Sequence, residues 1–477
     1  MKKSIVKNYL YNMLYQILVL ITPIITTPYI SRVLGAKGIG IFSYSQSIAA
    51  YFVLFGTLGS SLYGQREIAY VQDNKTKRSN TFVEINIIRA IAVLASIVIY
   101  WLRFVKSGDN TLIYKILTLE IISAALDISW FFQGLEDFKK IFVRNFAIKI
   151  ISILSIFLFV KKQSDLPLYA LCYVLPVLLG NLSLWPAAFK LLQKGSSYNF
   201  LRHIKPLLIF FIPQIATEVY TVLDKTMIGI LANSIEEVGY YTQAQKMVKM
   251  TLCVVSSLGT VMLSAMSREF QKQNYKVIID SVLKSYRFVF YIGMPMTFGI
   301  IGISRNFVPW FFGKGYESVK LIMAALAPII VIIGMSNVTG RQFLLPTKRQ
   351  KAFTISVFCG AGLNFVFNLF LIPIFNAMGA VIGTLIAEIG VTTIQLICIK
   401  NQIPLGRIFR LSIPYLLFSL VMMIPVTLIG EFMNSSPITF LIQLVVGGCV
   451  YLGLLILFKD EMTKQAIEAI KNKFVKS

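Results

Sequence analysis

The sequence predicts an all-helical membrane protein with about fourteen transmembrane helices, and three observations carry that reading. Hydrophobic residues fill 56% of the 477 positions and charged ones only 14%. Mean hydropathy is +0.72, more apolar surface than a soluble fold of this length has interior to hide. Apolar runs of about 18 to 25 residues recur from Tyr9 to Phe458, each long enough to cross roughly 30 Å of hydrocarbon as a helix. Finally, the 46 Lys and Arg, set against 21 Asp and Glu, collect mainly in alternate short loops, as expected when positive charge is kept on the cytoplasmic side.

The first element begins MKKSIVKNYLYN. Its basic start resembles a signal peptide, but the apolar run behind it is long and lacks a small-residue cleavage site, so a retained first helix is expected. Spans are expected at roughly 9–31, 39–63, 82–104, 112–134, 141–160 and 166–187, then 206–232, 238–264, 281–303, 317–339, 352–374 and 378–399, and last 411–430 and 437–458. The expected organisation is a first half over 1–187 (helices 1–6), a cytoplasmic linker over 188–205, a second half over 206–400 (helices 7–12), two further helices over 401–458 and a basic cytoplasmic tail over 459–477.

The loops set the orientation. Segments such as Arg66 to Arg78, Lys139 to Arg144, Lys190 to Lys205 and Arg341 to Lys351 are basic, whereas the intervening loops Asn233 to Glu237 and Glu431 to Pro437 carry acid and no base. Both termini are therefore expected on the cytoplasmic side, the chain lying in an inner membrane. The formal charge of +25 is spread over these short loops, which leaves no basic domain to grip a nucleic acid.

An internal repeat supports the two halves. Gly40-Ile-Phe42-Ser43-Tyr-Ser45-Gln46 matches Gly239-Tyr-Tyr241-Thr242-Gln-Ala244-Gln245 as Gly-x-aromatic-hydroxyl-x-small-Gln, and a proline-bearing helix precedes each copy. An offset of six helices fits two six-helix bundles related in parallel.

Ionisable residues in the spans are the candidate functional groups, since one at mid-bilayer costs roughly 2.5 to 3.5 kcal/mol and faces water or a partner. The basic set is Arg89, Lys149, Lys225, Lys246, Lys249 and Arg287. Lys246 and Lys249, three apart, share a helix face, and either a bound anion or a carboxylate of the preceding helix balances them. The acidic set is Glu120, Asp127, Glu218, Asp224 and Glu388. Each either pairs with a neighbouring helix or carries a proton or sodium ion, which makes this set the candidates for H+ or Na+ coupling. Asn8, Asn12 and Gln16 form a polar stripe ahead of Pro23 and Pro28, and Pro213 and Pro295 break two later helices.

Metal and redox chemistry find no support. The five cysteines stand singly in apolar runs, so neither a disulfide framework nor a metal site is expected, and no cofactor. The one histidine, His203, falls in a basic loop and is expected to be solvated.

The stretch NYLYNMLYQILVLITPIITTPYISRVLGAKGIGIFSYSQS, with YFVLFGTLGSSLYGQREIA after it, resembles the start of the bacterial polysaccharide flippases, which handle O-antigen, capsule and exopolysaccharide units and share a superfamily with multidrug exporters and the lipid II flippase. The likeness is most specific from Asn8 to Ala69. It implies two six-helix lobes around a V-shaped central cavity with two accessory helices at the end. It also implies translocation of a polyprenyl-pyrophosphate-linked oligosaccharide from the cytoplasmic to the outer leaflet by alternating access, beside a polysaccharide polymerase and chain-length machinery. A cationic lumen suits such a headgroup and points to the basic set above. Two rivals remain at this stage. A drug exporter of the same superfamily would favour acids in its cavity, and a membrane-embedded polymerase would need acid–base groups in a large external loop or a histidine in the membrane.

Overall fold

The computed structural model describes the backbone of residues 2–106, 110–193 and 197–475. Side chains are described throughout these apart from 2–17, 20 and positions within 213–220, 257–267 and 466–475. All regular structure among the described residues is helical, as hydrocarbon demands of a chain whose backbone groups must be satisfied within each segment.

The helices run α1 (Lys2–Thr57), α2 (Ser60–Val71), α3 (Lys75–Tyr100), α4 (Thr111–Leu126), α5 (Ser129–Gly134), α6 (Phe138–Phe159), α7 (Leu166–Leu182), α8 (Trp185–Phe189) and α9 (Leu201–Leu231). They continue as α10 (Glu236–Gln271), α11 (Tyr275–Phe312), α12 (Glu317–Leu326), α13 (Ile329–Asn337), α14 (Gln350–Phe375), α15 (Ala377–Ile399), α16 (Leu405–Phe432), α17 (Pro437–Leu457) and α18 (Glu461–Val475). Each of the fourteen expected spans falls on helix, and ten helices among the described residues are long and apolar enough to cross a membrane. Expected spans one and two form a single helical run, α1, bent where Gly35 takes φ +67°, a conformation that favours glycine. The expected seventh and eighth spans are helical and the fourth is split between α4 and α5, and all three stand outside those ten.

The chain divides into two compact units, Met1–Gly239 and Tyr240–Ser477, so α9 belongs by its contacts to the first. In the first unit α1 packs on α3, α4, α6 and α9, while α4 and α6 pack on α7. Its basic end is closed by an aromatic cluster of Tyr63, Phe82, Trp130, Phe131 and Phe132 with Ile68, Ile85 and Leu207. In the second unit α14 pairs with α15 and α11 with α16. Leu94, Val98, Leu154, Phe370 and Val445 are more than half or nearly half exposed, which lipid and not water explains.

The repeated motif has a structural counterpart. Gly40 of α1 meets the first turn of α10 so closely that a Cβ there would overlap the carbonyl of Ile235, and a Cβ at Gly239 would overlap the carbonyl of Ala36. Each of those Cβ positions lies 3.3 Å from the other glycine's amide nitrogen. Both contacts lie within the first unit.

Candidate functional site

The polar centre of the first unit grows from a break in one helix. Asp127 is extended (ψ 100°) and ends α4. Its Oδ1 accepts from the Ser129 backbone N–H at 2.9 Å and from the Ser129 hydroxyl, an Asx turn that starts α5. The carbonyls freed at the end of α4 need donors. Arg89 of α3, 2% exposed, gives Nη1 to the Asp127 carbonyl at 2.7 Å and Nη2 to that of Ala124. Trp185 Nε1 takes the Leu126 carbonyl at 2.9 Å. Arg89 thus caps a helix C-terminus, where a cation is also favoured by the backbone dipoles.

Arg144 of α6 is the second cation here. Its Nη1 lies 3.2 Å from Asp127 Oδ1, 2.7 Å from the Ser129 hydroxyl and 2.9 Å from Asn181 Oδ1. Asn181 of α7 in turn donates to the Ser123 carbonyl and hydroxyl, both at 2.9 Å. Asp127, Asn181 and Ser123 border a cavity of about 240 Å³ that Glu120, Tyr173 and Val53 also line. Glu120 is hydrogen-bonded to Gln46, the last residue of the first motif copy, while its Oε2 is buried without a hydrogen-bond partner. A carboxylate of this kind in a space of several water volumes can exchange a proton or hold a small cation.

The structure brings together only part of the expected set. Arg89, Asp127 and Glu120 belong to this one constellation. Lys149 is partly buried on α6. Arg287 of α11 is turned to Glu461, at the start of α18. Lys225 is partly buried and Asp224 buried on α9, Lys246 is partly buried and Lys249 exposed on α10, and Glu388 is buried on α15. None of those five is without a partner. The Glu218 side chain and the Asn8, Asn12 and Gln16 stripe lie outside the described residues.

Two features escaped the sequence reading. Arg144 was assigned to a basic loop, yet it stands in the second turn of α6, four residues before the buried Ile148. That spacing places it on the inward face. His203 is corrected outright, since it is not solvated. It is 2% exposed, its Nε2 lies 2.6 Å from Glu84 Oε2, and its Nδ1 lies 2.7 Å from the Tyr63 hydroxyl. Glu84 is 1% exposed and also accepts from Arg202 Nη2 at 2.6 Å and from the Asn199 backbone N–H at 2.7 Å. The signal was the four-residue spacing of His203, Leu207 and Phe211, all buried, which marks the inner face of α9.

In the second unit the matching motif copy also ends in a buried polar chain. Gln245 donates to the Tyr241 hydroxyl at 3.2 Å, and Tyr241 meets Thr384 at 3.4 Å. Asn364 continues from Thr384 at 3.4 Å to Asn368 at 3.2 Å. Both copies of the motif therefore place their glutamine in a hydrogen-bonded interior.

Known proteins supply the context for this architecture. The chain is 23% identical over 426 residues to the "Putative O-antigen transporter" of Escherichia coli (strain K12), a match that covers 84% of this chain and 98% of that protein. Its fold is similar to that of a lipid II flippase MurJ in an inward closed conformation, with a TM-score of 0.72 at 18% identity over 96% of this chain and 100% of the other. It is also similar to an inward-facing multidrug resistance MATE family transporter of the MOP superfamily, with a TM-score of 0.62 at 12% identity over 82% and 95%. The fold is thus one shared by lipid flippases and drug exporters. Residues 5–270, more than half of the chain, match the family described as "Polysaccharide biosynthesis protein", and the chain belongs to that family.

Proposed function

We propose that this protein is a flippase for polyprenyl-pyrophosphate-linked oligosaccharide units, carrying them from the cytoplasmic to the outer leaflet for O-antigen, capsule or exopolysaccharide synthesis. The observation that carries the reading is the relationship along 84% of the chain to a protein described as an O-antigen transporter, within a polysaccharide biosynthesis family. The fold alone is shared with drug exporters, so the sequence relationship decides between them.

The physical task fits the polar interior. A diphosphate with several sugars cannot enter hydrocarbon bare, because each hydroxyl would lose its water without replacement. Polar cavities inside a helical protein replace that water while the polyprenyl tail stays in lipid. The cationic role falls on Lys149, Lys225, Lys246 and Lys249 together with Arg144. Arg89 and Arg287 serve structure instead, the first directed at backbone carbonyls and the second at Glu461. Glu120, beside its cavity, is the foremost candidate for coupling to a proton or sodium gradient, with Asp224 and Glu388 behind it; Asp127 is engaged by Arg144 and Ser129.

The protein acts as a transporter and not as an enzyme, in the bacterial inner membrane with both termini cytoplasmic, beside a polysaccharide polymerase and chain-length machinery. Movement follows alternating access, one half rocking against the other. The test is translocation of fluorescent lipid-linked oligosaccharide in proteoliposomes. Wild type is expected to move it between leaflets, and the Lys246→Ala, Lys249→Ala double variant is expected to insert normally and lose more than nine-tenths of the rate. Full activity in the double variant sinks the assignment of those lysines, and no transport by wild type sinks the function.

A further inference from the structure

A second cavity lies apart from the one at the polar centre. It is a groove of about 470 Å³ between α6 and α7. At about 30 Å³ for each water-sized group, that is room for roughly fifteen carbons of a single hydrocarbon chain. Ile151, Phe159, Leu168, Leu175 and Leu179 line it, and all five are exposed, so the groove opens on the surface that faces lipid. From Arg144 to Phe159 it follows α6 for about 22 Å at 1.5 Å per residue, most of the hydrocarbon thickness.

One end of the groove is charged. Arg144 borders it there and reaches through to Asp127 and Asn181, which line the inner polar cavity. α7 is therefore a partition. Its residues Cys172, Leu175 and Leu179 face the groove, its Tyr173, Val177 and Asn181 face the cavity, and Arg144 borders the groove while bonding to two residues of the cavity wall. The Nε and Nη2 edge of the guanidinium, the edge that grips phosphate in a two-pronged manner, is met among the described residues by the neighbouring Asn145 side chain, at 3.0 and 2.6 Å.

We infer that the α6–α7 groove seats the polyisoprenoid chain of an anionic lipid, with the diphosphate taking the place of Asn145 on the outer edge of Arg144. The inference rests on the flippase reading for its substrate class. A tail in the groove and a headgroup turned past Arg144 toward the inner cavity would let one amphiphile occupy both solvents at once. A cation at the end of an apolar channel complements such a molecule, while a neutral hydrocarbon has no use for it.

The experiment uses the full-length protein in proteoliposomes with a farnesyl diphosphate, whose chain length matches the groove, carrying a benzophenone at the far end of that chain. Irradiation followed by peptide mass spectrometry is expected to place the adduct on α6 or α7. Filling the groove by Ile151→Trp with Leu175→Trp is expected to cut that labelling at least ten-fold, and Arg144→Gln by a similar factor. Ile151 and Leu175 are exposed, so filling the groove displaces no buried side chain; a size-exclusion profile like wild type checks that every variant folds. A benzophenone phosphatidylglycerol is the control. Labelling on other helices, labelling that survives the filled groove, or phosphatidylglycerol adducts in the groove that excess polyprenyl diphosphate does not displace would each overturn the inference. Labelling needs no translocation, so a protein that binds the chain here but moves no oligosaccharide would refute the flippase function and leave the seat standing.

Discussion

At the scale of single residues, the sign of a charge predicts less than the direction of its side chain. Arg89 and Arg144 are both arginines within apolar helices, yet one closes the end of α4 through backbone carbonyls while the other joins Asp127, Ser129 and Asn181. Arg89→Met is expected to lower stability by about 2 to 6 kcal/mol, since two buried carbonyls lose their donor at about 1 to 3 kcal/mol each. Thermal unfolding in detergent measures it, and a melting temperature like wild type would show that the carbonyls find other donors. Removing His203 has a similar logic, because it leaves the Glu84 carboxylate buried with one partner fewer. His203→Ala is expected to cost about 3 to 5 kcal/mol, as for other broken buried pairs, whereas the isolated Arg202→Ala, at a side chain 48% exposed, costs less. Equal losses from the two variants would contradict a histidine-centred cluster.

At the scale of elements, the sequence was most legible where apolar length alone decides and least where a side chain reshapes a helix. The expected spans all fall on helix because 20 or so apolar residues have one inexpensive conformation in hydrocarbon. The break between α4 and α5 was not legible, since Asp127-Ile-Ser129 inside an apolar run could equally be a helix carrying one carboxylate, and only the Asx turn resolves it. Arg144 and His203 could have been placed by face counting, but proximity to basic loops outweighed the spacing. The basic tail proved to be helical. α18 is held at its start by Arg287 on Glu461, by Asp460 accepting from the Tyr415 hydroxyl at 2.7 Å, and by the Thr463 hydroxyl on Tyr291 at 3.3 Å. The Arg287 guanidinium holds the Glu461 carboxyl below its ordinary value. Its contribution is therefore complete above the ordinary carboxylate pKa and fades as pH falls through the lowered one. A spin label at Glu468 is expected to report an ordered α18 at pH 7 and a looser one once pH falls below the ordinary carboxylate range. Glu461→Gln is expected to loosen it at pH 7 and to weaken that pH dependence. An unchanged pH response in the variant would place the titration elsewhere.

At the scale of the whole molecule, two compact units of nearly equal length carry a motif copied once in each expected half, and the glutamine of each copy is hydrogen-bonded to a polar partner. The charged cluster around Asp127 has no such counterpart in the short motif, which explains why the repeat announced the architecture but not the site. Gly40 and Gly239 give the last prediction. Alanine at either is expected to disturb the crossing to a similar degree, because each added methyl meets a carbonyl of the opposite segment. The double variant is expected to lose less stability than the sum of the two, since both methyls strain one and the same backbone approach; strict additivity in thermal unfolding would contradict this. Such a contact has the logic of an isologous interface, in which one patch is its own complement. An ordinary homodimer needs a second molecule to achieve it. Here a duplicated segment supplies the complement in cis, so the contact forms at the same effective concentration however sparsely the protein is expressed, and its geometry is answerable to both copies at once.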